Sequence, residues 1–140
     1  MAQRLADIAL FAPSLEDISQ LATEAIGALP LEIRHHARNV LIRVEDFPSD
    51  EICEELELDT PFDILGLYQG IDLPHQSVSE TGAPPDMVFL FRRPMLDFWC
   101  ESGESLADIV RNVLIHEIGH HFGFSDEELT ALSTPSSQDD

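Results

Sequence analysis

The chain has 140 residues, enough for one domain around one core, with 44% hydrophobic and 24% charged residues. Its formal net charge of -20 comes from 27 Asp and Glu against 7 basic residues, every one an Arg. A field of that sign repels phosphate backbones and anionic lipid, which excludes nucleic acid and membrane surfaces as favoured partners.

In chain order, Ser14 with Asp17 forms a capping-box pattern that opens a helix. Leu15, Ile18, Leu21, Ala22, Ala25, Ile26 and Leu29 recur at helical spacing until Gly27 and Pro30 end it. "LEIRHHA" reads as a short second helical turn. Asn39 to Phe47 is β-branched and partly alternating, a strand stopped by Pro48. Ser49 caps a short acidic helix, "DEICEELEL". "PFDILGLYQGIDL" reads as strand, turn and strand, and Pro74 to Asp86 as a loop rich in Pro, Ser and Gly. Met87 to Met95 is a strong strand ended by Pro94, followed by a short helical segment, "LDFWC". Leu106, Ile109, Val110, Val113, Leu114, Glu117 and His120 then keep the i, i+3, i+4 rhythm of a helix of about five turns, stopped by Gly123. Ser125 is the N-cap of a last short helix. One domain over residues 1–132 and a frayed tail over 133–140 are expected.

No apolar run reaches the roughly 20 residues of a membrane span, and the N-terminus carries no signal-peptide pattern. Cys53 and Cys100 lie too far apart for a CxxC motif. A reducing cytoplasm is therefore expected, without a disulfide framework.

The long C-terminal helix carries the chemistry. His116 and His120 are four residues apart, so their imidazoles stack on one helix face and can point at one ion. Imidazole suits Zn²⁺, which takes tetrahedral nitrogen, oxygen or sulfur ligands. Glu117 is turned about 100° around the axis, too far to join the histidines as a ligand but near enough to reach water held at the ion. This is the H-E-x-x-H arrangement, with the glutamate as general base. Gly123 follows His120 by three and can take positive φ, turning the chain back. Asp126 follows three later and supplies a carboxylate, a competent third zinc ligand. The full run is H-E-x-x-H-x-x-G-x-x-D.

The other polar residues are read as bystanders. His35 and His36 are adjacent and point in different directions. Glu127 and Glu128 could replace Asp126 but suit the positive end of the last helix. Tyr68 and His121 are candidates for contact with substrate or transition state.

"LGLYQG" (residues 65–70), "MVFLFRRPML" and "VLIHEIGHHFGFSDEEL" together resemble the zincin-like metallopeptidases, in particular the small bacterial minimal zincins. The resemblance runs from about Pro30 to Leu132. It implies an α+β fold in which a small mixed β-sheet packs against the metal-binding helix and further helices. It also implies His116, His120 and Asp126 as ligands of one zinc ion and Glu117 as catalytic base. Only 14 residues follow Asp126 and none is Met, so the methionine turn of the larger metzincins is not expected. The expected function is a zinc-dependent peptidase acting on a peptide or protein. The alternative is a non-catalytic zinc-binding domain that recognises such a partner. The strand Met87 to Phe91 is expected to offer its edge to the substrate.

Overall fold

The computed structural model describes residues 11–70 and 86–133. Ser14 caps helix α1 (Leu15–Gly27) with both halves of the capping box formed: its hydroxyl accepts from the Asp17 N–H, and the Asp17 carboxylate accepts from the Ser14 N–H. A single turn, α2 (Leu31–Arg34), runs on into a 3₁₀ turn over His35–Ala37. Strand β1 (Leu41–Glu45) follows, then α3 (Asp50–Glu55), whose first turn is capped by the Ser49 hydroxyl.

The next segment departs from expectation. In place of the strand expected at Pro61, Thr60 and Asp63 form a capping box around a 3₁₀ turn (Pro61–Asp63), and only Gly66–Gln69 is extended, as β2. The remainder of the expected second strand, the loop at 74–85 with His75, and the tail at 134–140 lie outside the described residues. Strand β3 is shorter than expected, Met87–Phe91. Helix α4 (Arg92–Ser102) begins at once and takes Pro94 into its first turn, where a missing N–H costs nothing. Gly103, at φ 77°, ends α4. Ser105 caps α5 (Leu106–His121), and α6 (Asp126–Ser133) follows.

The sheet order is β1-β3-β2, with β1 parallel and β2 antiparallel to β3. This overturns the expectation that Met87 to Phe91 offers an edge: β3 is the central strand, paired on both sides. Its burial is consistent with that place, since Val88, Leu90 and Phe91 are all buried. The edges among the described residues are β1 and β2.

Helices α1 and α5 pack on one another and on the sheet, α1 over β1 and α5 over β2. The core lies between, built from Ile18, Ala22, Val88, Leu90, Val110, Leu114 and Ile118 with their neighbours. The architecture is α+β with a small mixed sheet. No described helix is long and apolar enough to cross a membrane.

Candidate metal centre

The buried side of α5 differs from the stripe read in the sequence. Leu106, Ile109, Val110 and Leu114 are buried as expected, but the stripe continues through Ile115, Ile118 and Gly119. His116 and Glu117 lie half-buried on its flank and His120 is exposed. The ionisable groups therefore sit beside the core, where water and a substrate can reach them.

Each group is positioned by a local feature. His116 Nδ1 lies 2.9 Å from the carbonyl oxygen of Asn112, one turn back. That bond places the proton on Nδ1 and leaves Nε2 as the free ligand atom, as in histidines that ligate metals. The rings of His116 and His120 are 6.0 Å apart between centroids.

Helix α5 then stops on a Schellman motif. The Phe124 N–H donates to the carbonyl of Gly119, the Gly123 N–H donates to that of His120, and Gly123 adopts φ 92°. The turn delivers α6, which Ser125 caps: its hydroxyl accepts from the Glu128 N–H, and the Glu128 carboxylate accepts from the Ser125 N–H. Asp126 thereby arrives with its Oδ1 against His120 Nε2.

Gly119 makes this approach possible. A Cβ there would lie 2.3 Å from Cδ2 of the buried Leu129, so glycine lets α6 close on α5 without displacing that side chain. Sequence reasoning passes over Gly119; its signal is a glycine between the two histidines of a helix, where it costs stability unless packing demands it.

Glu117 is held from the other side. Its Oε1 accepts the backbone N–H of Tyr68 at 3.0 Å. The Phe91 N–H donates to the Leu65 carbonyl, so odd positions of this segment face β3. Even positions, Gly66 and Tyr68, turn their peptide groups to the free edge. Burial raises the Glu117 pKa, outweighing the lowering effects of the Tyr68 N–H and of His120 and His116.

The Tyr68 hydroxyl donates to Asp86 Oδ2 at 2.6 Å, and its ring stacks on His121 at 3.9 Å. Burial, then the bond to Asp86 and its charge, push the hydroxyl pKa well above the ordinary tyrosine value. His121 is thus paired with Tyr68 and lies 3.7 Å from Asp86. His36, far from this group in sequence, stacks on Phe122, and His35 is exposed. Cys53 and Cys100 are free thiols.

Among the described residues, no three His, Cys, Asp or Glu side chains gather tightly enough to hold an ion as they stand. The donor chemistry nevertheless suits zinc. His116 has a free Nε2 backed by a carbonyl, His120 already meets a carboxylate, and the set is two nitrogens and one oxygen.

A family model described as a zincin-like metallopeptidase matches residues 37–134, from just before β1 to the end of α6. No curated protein matches the chain. Among solved structures, a conserved hypothetical protein from Thermus thermophilus is similar, with a TM-score of 0.54 at 18% identity. The similarity covers 84% of this chain and 98% of that one, and at such identity it is a likeness of fold.

Proposed function

The chain belongs to the zincin-like metallopeptidase family, and from that premise we propose that it hydrolyses peptide bonds as a zinc-dependent peptidase. The observation that carries this reading is the placing of Glu117: a half-buried carboxylate between two histidines and the peptide edge of β2. A domain that only binds needs no such base.

His116, His120 and Asp126 would hold the ion. The side chains of His120 and Asp126 are 49% and 85% exposed, and exposed side chains change rotamer within nanoseconds. Zinc, when bound, supplies Lewis acidity for the scissile carbonyl and for the attacking water.

The chain's own groups do the rest. The Tyr68 N–H occupies Oε1 of Glu117 and orients the carboxylate, leaving Oε2 to accept the proton of the attacking water. The protonated carboxyl then delivers that proton to the departing amine, so one water is consumed for each peptide bond broken. The free edge of β2, beside α5, takes the role first expected of β3. An extended substrate running along this edge passes beside Glu117.

Two measurements test the reading. Metal analysis of the purified protein should find one zinc per chain, lost in His116→Ala. Digestion of a broad peptide library should show cleavage by wild type and none by Glu117→Gln. Zinc retention with equal digests from both proteins would favour the non-catalytic reading, a zinc-binding domain that recognises a peptide or protein partner.

A further inference from the structure

A cavity of about 420 Å³ opens beside His116 and Glu117, between α5 and the segment leading into β2. Ile64, Phe98 and Val113 give it apolar walls, while Asp63 and Glu104 add two carboxylates. No Arg lines it among the described residues.

We propose that this cavity receives a cationic side chain of the substrate, a lysine or arginine with its aliphatic stem along the apolar walls and its charge at the carboxylates. The proposal rests on the peptidase reading, because Glu117 and the β2 edge determine where the substrate backbone runs.

Three features favour that occupant. The lining changes from apolar to acidic, and Lys and Arg have the matching construction, an apolar stem with a charged tip. Asp63 is already ordered, with Oδ2 accepting the N–H groups of Asp59 and Thr60 at 2.9 and 3.1 Å. Binding therefore immobilises little at that carboxylate. Glu104 forms no ion pair among the described residues.

Asn112 also lines the cavity, and its Oδ1 is buried without a hydrogen-bond partner among the described residues. The amide adds a polar stretch of wall near the two carboxylates. An acidic substrate side chain would instead meet like charge, on a chain whose overall field already repels anions.

The test measures binding, so it does not depend on turnover. Labelled alanine-based hexapeptides carry a single Lys, norleucine or Glu, scanned through each position. Fluorescence anisotropy is read on zinc-loaded Glu117→Gln. An exposed ion pair changes affinity by up to about fivefold, so at the best position Lys should bind up to about fivefold tighter than norleucine, and Glu weakest. The Lys preference should shrink in about 0.5 M salt. Glu104→Lys, a change in an exposed connection, sets a cation against Asp63 and should abolish the preference for Lys over Glu.

Equal affinity for Lys and norleucine, or a preference for Lys over Glu that Glu104→Lys leaves unchanged, overturns the cationic pocket while the peptidase reading stands. Absence of binding by every peptide overturns that reading and the pocket with it.

Discussion

The backbone N–H of Tyr68 donates to Oε1 of Glu117 across 3.0 Å, although the two residues are 49 positions apart in the chain. A strand edge and a helix flank thus share one carboxylate. The Tyr68 side chain is anchored as well, by Asp86 and by the ring of His121. The position of β2 and the orientation of the proposed base are therefore mechanically linked.

That link makes Tyr68 a stability residue first. Tyr68→Phe keeps the ring and its stacking but removes the donor to Asp86. A hydrogen bond to a charged group contributes roughly 1.5–3 kcal/mol, and partial exposure places this one near the lower end. Urea unfolding should show a loss of about 1–2 kcal/mol. Tyr68→Ala, which also removes the stacking, should lose more. A midpoint for Tyr68→Phe equal to wild type would mean that the Asp86 bond contributes nothing net.

Glu117 should cost the metal-free fold stability at neutral pH. Its folded pKa lies above the ordinary 4.5, chiefly through burial. The folded state therefore holds the proton more tightly than the unfolded state. The associated stabilisation is complete below the ordinary value and is lost as pH rises through the folded value. Glu117→Gln cannot ionise, yet its amide oxygen can still accept the Tyr68 N–H. In EDTA the variant should melt above wild type at neutral pH, and the gap should close as pH falls below the ordinary value. A gap independent of pH would sink the argument.

Local signals are legible in the sequence. The capping box at Ser14, the caps at Ser49 and Ser125, the glycine turn at Gly123 and the long helix before it all depend on residues within one or two turns of each other. Non-local facts are not legible. The central place of β3 depends on which strands flank it, and Val88 and Leu90 suit a buried edge as well as a centre. The expected strand at Pro61 fails because the Thr60–Asp63 capping box outweighs the apolar run that follows. The helical rhythm through Glu117 and His120 is genuine, but the core passes along Ile115 and Ile118 instead. Nothing in the sequence pairs Tyr68 with Glu117, because that bond uses a backbone atom.

Gly119→Ala separates packing from propensity. Alanine gains about 1 kcal/mol in helix propensity. Against that, its Cβ would lie 2.3 Å from Leu129 Cδ2, and overpacking typically costs about 1–3 kcal/mol. The net change in stability should be small or modestly unfavourable. Where α6 moves to relieve the clash it carries Asp126 away from His120, so zinc affinity should fall as well. Gly27→Ala, with open space around the added Cβ, should only gain stability. Calorimetric zinc titration and urea unfolding of both variants separate the two effects. Unchanged zinc affinity in Gly119→Ala would show that the closeness of α5 and α6 does not matter to the centre.

Zinc itself should stabilise the fold through the proposed ligands, by about 2.7 kcal/mol at 100 times its Kd. EDTA should reverse the gain, and His116→Ala should abolish it. The sharper comparison lies among three neighbouring acids in the first turn of α6. Asp126, Glu127 and Glu128 all suit the positive end of the helix, each contributing roughly 0.3–1 kcal/mol there. Only Asp126 touches His120, while Glu128 is committed to the Ser125 N–H. Asp126→Asn should therefore cost the metal-free protein somewhat more than Glu127→Gln, by the loss of the His120 contact, and only Asp126→Asn should also shrink the zinc-dependent rise in melting temperature. An equal zinc response in both variants would remove Asp126 from the ligand set and leave the two histidines in need of another third donor.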